Sequence, residues 1–252
     1  QAAISPTQCN IGRYNPHERG TESSICGLCE RGWACPVAGM FEMTTRCQPG
    51  CYCPSGTSYS HQYPCPLGRY SDEINLTSAD ECLLCPERFA CTSTVGTISA
   101  TIVSCAPGHY CPTGTPSTTS FDCSPGRYSS RDDLKEDDEC TICDQGTYCS
   151  GGSSTTSGPC QAGHYCPPGT KFPNEFPCPA GKYSPSTSNV QLSDCLNPPP
   201  GSYSPSGSAN YYDCPAGKYS SVNNTETSGI AGGSSSTFPA CTACTAGSYC
   251  PA

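Results

Sequence analysis

Cysteine is the residue whose chemistry the spacing organises. Cys26/Cys29, Cys82/Cys85 and Cys140/Cys143 form Cys-x-x-Cys pairs at the same place in a longer pattern. Such pairs can exchange disulfides, hold zinc or lock a chain by oxidation. Exchange catalysis needs a βαβ setting, which the flanking sequence lacks. Zinc needs a matched ligand set, and four His beside 25 Cys, at spacings unlike zinc fingers, point away from metal. Structural disulfides remain, and they place the chain in an oxidising compartment, extracellular or secretory.

Other residue types offer less. His109 and His164 stand one repeat apart with no second ligand alongside, so they read as structural rather than zinc-binding. Asp132-Asp133 and Glu136 to Glu139 are acidic enough for calcium but lack EF-hand spacing, and read as a solvated loop. No Ser/His/Asp, Cys/His or paired-carboxylate arrangement emerges, so the expectation is no enzyme, no catalytic residues, no cofactor and no metal.

The elements that must position the cysteines are repeats. From Cys9 the intervening gaps are 16, 2, 5, 11, 5 and 11 residues; from Cys65 they are 16, 2, 5, 13, 5 and 11; from Cys123 they are 16, 2, 5, 10, 5 and 11. The organisation is therefore residues 1–64, a first repeat with its N-terminal tail; 65–122, a second; 123–177, a third; 178–213, a truncated fourth; and 214–252, a partial fifth. In the fourth, Pro198 and Ser204 stand where the third and fourth cysteines belong, and the fifth and sixth are missing.

That truncation suggests the pairing. Cys178 and Cys195 survive together, so the first and second cysteines of each unit are expected to bond: Cys9–Cys26, Cys65–Cys82, Cys123–Cys140, Cys178–Cys195 and Cys214–Cys241. The other four then pair among themselves. Small loops would give Cys29–Cys35, Cys47–Cys53, Cys85–Cys91, Cys105–Cys111, Cys143–Cys149, Cys160–Cys166 and, in the partial unit, Cys244–Cys250. An interleaved scheme, third with fifth and fourth with sixth, is the open alternative. Cys51 is left over, free or bonded to another chain. Each 16-residue loop closure contributes about 3 kcal/mol in the chain-entropy picture.

A second motif, Gly-x-Tyr, accompanies the cysteines, from Gly12-Arg13-Tyr14 to Gly247-Ser248-Tyr249. The glycine implies a positive-φ turn or a close backbone approach, and the tyrosine implies packing on its own disulfide or on the next unit. In the first repeat Gly32-Trp33-Ala34 departs from it.

Composition agrees with a stapled chain. Leu, Ile, Val and Phe supply only 27 of 252 residues, too few for an ordinary core, and cross-links can take its place. The fold class expected is small disulfide-rich repeats, strand-poor with short two-stranded pieces and almost no helix. No apolar run suits a bilayer span, and a net charge of −9 disfavours nucleic acid and anionic lipid. Gln1-Ala2-Ala3-Ile4 has no signal-peptide character, as in a mature secreted chain. Two sequons, at Asn75 and Asn223, lie in long first loops expected to be exposed and glycosylated. Pro198-Pro199-Pro200 reads as a stiff spacer.

Cys65-Pro-Leu-Gly-Arg-Tyr-Ser, Cys178-Pro-Ala-Gly-Lys-Tyr-Ser and Cys214-Pro-Ala-Gly-Lys-Tyr-Ser, followed by Cys-x-x-Cys, resemble the ephrin-receptor-like cysteine-rich repeats of extracellular proteins. They also look like the cysteine-rich modules of tumour-necrosis-factor receptors. The resemblance covers residues 9 to 252. It implies an elongated rod of tandem modules without shared catalytic residues, and its receptor side implies the interleaved pairing.

The functional expectation is a structural subunit of an extracellular fibre or surface appendage. Units that contact only their neighbours form one-dimensional arrays. Ten residues would separate Cys250 from the Cys9 of a following copy, within the repeat's own gap of 10 to 13, so head-to-tail copies would keep the register. The expected partners are further copies of the chain and covalent glycans. The alternative is the ectodomain of a receptor, adhesin or surface antigen, with Tyr211-Tyr212 and Trp33, Met40, Phe41 and Met43 as candidate patches.

Overall fold

The computed structural model describes residues 8–16, 26–220 and 241–245. Two compact units appear: Gln1–Asp122 with Arg131–Glu139, and Cys123–Ser130 with Cys140–Ala252.

Both units are built from one small element. A seven-residue turn, most often of pattern Cys-x-x-Gly-x-Tyr, ends in a two-residue strand, which pairs antiparallel with a second two-residue strand further along. Eight such two-stranded sheets are described, among them Arg13–Tyr14 with Gly27–Leu28, Arg69–Tyr70 with Leu83–Leu84, and Arg127–Tyr128 with Thr141–Ile142. The described helical structure is limited to three-residue 3-10 turns: Ala79–Glu81, Ser99–Thr101, Asp137–Glu139 and Leu192–Asp194. Strands this short bury too little to hold alone. The chain is strand-poor, almost helix-free and modular, as its composition implies.

Consecutive turns bond to one another, and this gives the fold a period shorter than the cysteine repeat. The Gly12 amide donates to the Cys35 carbonyl (2.8 Å), Gly32 to Cys53 (2.9 Å), Gly50 to Ser71 (2.8 Å) and Gly68 to Cys91 (3.0 Å). In the second unit Gly126 donates to Cys149 (2.8 Å), Gly146 to Cys166 (2.8 Å), Gly163 to Ser184 (2.7 Å) and Gly181 to Ser204 (2.8 Å). The same glycines accept in return: Cys29 donates to the Gly12 carbonyl, Cys47 to Gly32, Cys65 to Gly50, Cys143 to Gly126 and Cys178 to Gly163. The step between turns is 20, 17 and 18 residues for Gly126, Gly146, Gly163 and Gly181. Each cysteine repeat is thus three backbone rungs, not one.

The glycine is required. Every described Gly-x-Tyr glycine has positive φ, from +77° at Gly12 to +90° at Gly126. At Gly12 a Cβ would also lie 2.6 Å from the Gly56 carbonyl oxygen, because a later turn closes directly over it. An L side chain would meet both the left-handed penalty and a backbone clash.

The core is sulfur. Among the described residues, Ala34, Leu76, Ala90 and Leu134 are the buried apolar side chains other than cysteine. Buried threonines fill part of the remainder: Thr57, Thr115 and Thr170 follow the pattern Pro-x-Gly-Thr, and each hydroxyl donates to the carbonyl of the proline three residues back. The hydrogen bond makes a buried hydroxyl tolerable.

Candidate functional site

The cysteines sit at the two ends of the turn. When residue seven of a turn is cysteine, it bonds the first: Cys29–Cys35, Cys47–Cys53, Cys85–Cys91, Cys105–Cys111, Cys143–Cys149 and Cys160–Cys166, with Cα–Cα distances of 5.8–6.0 Å. When residue seven is Asn15, Ser71, Ser129, Ser184 or Ser220, the first cysteine reaches forward instead: Cys9–Cys26, Cys65–Cys82, Cys123–Cys140, Cys178–Cys195 and Cys214–Cys241. The small loops are therefore what the structure forms, and the interleaved scheme is not. Cys250 lies outside the described residues, and with it the Cys244–Cys250 pairing.

The long loops have their own cap, which the cysteine spacing does not reveal. In the first turn of each unit the residue between Gly and Tyr is basic. Arg13 donates to the Cys26 carbonyl (2.9 Å), Arg69 to Cys82 (2.7 Å), Arg127 to Cys140 (2.8 Å) and Lys182 to Cys195 (3.4 Å). A carboxylate closes the other side: Glu81 accepts from the Thr77 amide (3.1 Å), Glu139 from the Lys135 amide (2.8 Å) and Asp194 from the Val190 amide (2.8 Å). These contacts hold the carboxyls below their usual range, the Thr77 hydroxyl leading for Glu81, and the Lys135 and Val190 amides for Glu139 and Asp194. The recurrence of Gly-Arg-Tyr or Gly-Lys-Tyr was the legible signal for this cap.

Each long loop also docks on a sixth cysteine. The Cys53 amide donates to Leu76 (2.8 Å), Cys111 to Leu134 (2.9 Å) and Cys166 to Asn189 (2.9 Å). The first loop is consequently less exposed than expected. Asn75 is half-buried with positive φ (+66°), its Oδ1 is buried without a hydrogen-bond partner, and Leu76 is buried beside it. Asn223 lies outside the described residues.

Several of the tyrosines pack on aromatic rings, and Tyr52 also packs against the buried cluster of Cys65, Leu76 and Cys82 in the next unit, as expected of this motif. Tyr52 stacks with Tyr63 (5.7 Å between centroids), Tyr110 with Phe121 (5.6 Å), and Tyr165 meets Phe176 (5.6 Å). The partner stands 11 residues after each tyrosine and two before the cysteine that opens the next unit, a recurrence that the sequence carries in all three units. Arg46 lies over Trp33, 5.3 Å from the ring centroid. Met40 and Trp33 are half-buried and Phe41 exposed, and Tyr211 and Tyr212 are also exposed (43% and 51%) while their rings meet Tyr183 and Tyr203.

Cys51 is free and buried, with the Cys47–Cys53 bond in its cluster. Burial pushes its thiol above the usual range, so a bond to another chain would first need the site uncovered. The corresponding residues His109 and His164 serve packing contacts. His109 Nε2 lies 3.0 Å from Asp122 Oδ1, and His164 is buried with Nδ1 3.2 Å from the Ala162 carbonyl.

One rung breaks the glycine rule. Arg88 takes the fourth position of its turn at φ +75°, a conformation that costs an L residue roughly 1–2 kcal/mol. Its amide still donates to the next rung, at Cys111 (2.8 Å). Its guanidinium reaches the acidic loop, donating to the Asp133 carbonyl and to Glu139 Oε1 (3.0 Å). Asp133 in turn accepts two bonds from Arg131, at 2.8 and 3.0 Å. The acidic loop thus spends Asp133 and Glu139 on arginine and backbone contacts.

Among the described residues no group of three or more His, Cys, Asp or Glu side chains is placed to hold a metal. No described helix is long and apolar enough to cross a membrane. The buried functional groups are disulfides, which fix geometry, and the eleven among the described residues suit an oxidising compartment, extracellular or secretory. The chain matches no protein-family model, and no curated protein is significantly similar to it, so what can be said of its kind is that it is an array of disulfide-paired cysteine-rich repeats carrying small two-stranded sheets.

Proposed function

We propose that the chain is a structural subunit of an extracellular fibre or surface appendage that assembles head-to-tail. The observation that supports this reading is the ladder: within each compact unit most rungs give the next the same two backbone bonds, Gly126 amide to Cys149 and Cys143 amide to the Gly126 carbonyl being one instance. A connection made only of backbone groups, repeated from neighbour to neighbour, is the kind that a further copy can extend into an open array. Disulfide staples suit a subunit that must keep its shape outside the cell with little apolar core. The test is light scattering and negative-stain electron microscopy of the purified chain as concentration rises. Filaments whose axial repeat is a multiple of one chain are expected; a chain that stays monomeric under all conditions overturns the reading.

A second reading, a binding ectodomain, draws on a different observation. Leu28, Leu84 and Ile142 occupy the same place in three units and are half exposed (50%, 51% and 53%). Recurrent exposed aliphatic side chains suit a protein partner. Replacing the three by Ser leaves assembly intact if the fibre reading holds, and abolishes capture of a partner if the ectodomain reading does.

A further inference from the structure

Arg88 occupies a position where its equivalents are Gly32 and Gly146, and each equivalent faces the carbonyl of a corresponding long-loop residue. A Cβ on Gly32 would lie 2.7 Å from the Asn75 oxygen, and one on Gly146 would lie 3.4 Å from the Ser188 oxygen. At Arg88 the corresponding carbonyl belongs to Asp133, and the guanidinium bonds it. A strained non-glycine residue thus replaces a tight backbone contact by a charged one, at one of three equivalent places.

We propose that Arg88, Asp133 and Glu139 form an acid-released latch that holds loop Arg131–Glu139 on the second repeat. The loop's seat is specific. Leu134 is fully buried, and its carbonyl accepts from the Cys111 amide (2.9 Å). Arg88 Nη2 lies 3.0 Å from Glu139 Oε1, and Nη1 lies 4.0 Å from Asp133 Oδ2. Among the described residues the cations facing these carboxylates are Arg88 from the second repeat and Arg131 and Lys135 from the loop, where Lys135 Nζ also lies 3.8 Å from Glu136. Asp132, Glu136, Asp137 and Asp138 share the loop, so its net charge is strongly negative and Arg88 is the cation that the second repeat contributes.

The sign follows from the carboxylates. Arg131 and then Arg88 hold Asp133 below its usual value, and the Lys135 amide and Arg88 do the same for Glu139. Arg131 and Lys135 belong to the loop itself, so the part of each depression that Arg88 causes is the part tied to docking; it stabilises the docked loop above the ordinary carboxylate range and is lost as pH falls through the lowered values. Protonation leaves Arg88 without its anions while keeping its backbone strain. Release would uncover Leu134 and free the Cys111 amide.

Amide hydrogen exchange on the intact oxidised chain tests this. After correction for intrinsic rates, protection of the Cys111 amide is expected to fall about tenfold or more from pH 7 to pH 3. The Gly68 amide, a ladder donor in the same unit with a carbonyl partner, keeps its protection. Salt at about 1 M and neutral pH reproduces part of the Cys111 loss. In Arg88→Gly, which installs the residue of the equivalent rungs, the Cys111 amide loses its acid and salt sensitivity; Glu139→Gln weakens protection already at neutral pH. Equal acid sensitivity in the native chain and Arg88→Gly overturns the latch. So does simultaneous loss at Gly68, which would mark unfolding of the whole unit, and so does the absence of any change.

Discussion

The turn from Cys143 to Cys149 and the turn from Pro198 to Ser204 belong to the same unit, and only the first is stapled. Their backbones nevertheless agree. Gly146 has φ +78° and Gly201 +85°. Thr147–Tyr148 pairs with Gly158–Pro159, and Ser202–Tyr203 pairs with Tyr212–Asp213. Thr147 Oγ1 donates to the Asp144 carbonyl (2.7 Å) just as Ser202 Oγ donates to Pro199 (2.6 Å). The preceding glycine reaches each at the same distance, Gly126 to Cys149 and Gly181 to Ser204, both 2.8 Å. The disulfide therefore does not shape the turn; the glycine conformation and the ladder do. What the staple adds is a restricted unfolded chain. Its loss has local costs: Pro198 has no amide to return to Gly181, and the Ser204 hydroxyl is buried without a partner.

If the glycine rather than the sulfur sets the geometry, the largest effect comes from glycine. In Gly163→Ala the new Cβ would sit 2.6 Å from the Gly207 carbonyl carbon, and with the left-handed penalty the unit should lose more than about 3 kcal/mol. Gly201→Ala meets no described atom within 4 Å and should lose only about 1–2 kcal/mol. Denaturant unfolding of the two variants compares them directly; equal losses would mean that ladder closure is unimportant. Next in size is exchange of the staple. Cys143→Ser with Cys149→Ser should cost about 2 kcal/mol yet keep the Gly126 amide protected. Pro198→Cys with Ser204→Cys should oxidise spontaneously and gain a similar amount, and mass spectrometry of non-reduced peptides reads the new bond. Ser204→Ala removes the orphan hydroxyl and should stabilise by up to about 1 kcal/mol. The smallest effect is electrostatic. The Asp194 carboxylate, depressed by the Val190 and Gln191 amides, supports the loop before Cys195 above the usual aspartate range and less as pH falls through its lowered value. Asp194→Asn should flatten that part of the acid titration of stability, measured as the unfolding midpoint against pH.

Several levels of the fold were legible in the residues. A run of six cysteine gaps, five of them identical from unit to unit, occurs three times and delimits the modules, and the survival of Cys178 with Cys195 pointed to the long-loop bond. Gly-x-Tyr signalled a positive-φ turn, which Gly12 and its equivalents adopt. The three-rung period was in the sequence too, as Gly-x-Tyr recurring within each unit, but the larger cysteine period masked it. Arg13, Arg69 and Arg127 likewise stood in plain view as the x of that motif. Their partners, carbonyls of the cysteines thirteen residues on, emerge only when the hairpin closes.

The sequence by itself determined the modular, stapled, core-poor character of the protein, because local gaps and composition govern which cysteines can meet and how little apolar surface is available. It also identified Cys51 as the cysteine outside the pattern. Tertiary structure alone decided what covers what: that Gly56 closes over Gly12, that Cys51 is buried and that Leu134 seats on Cys111. It also decided that Arg88, alone at a glycine position, reaches 51 residues along the chain to Glu139. Those contacts join residues far apart along the chain, and at Gly56 and Leu134 the partner is a backbone carbonyl, which every residue carries and no side-chain pattern can mark.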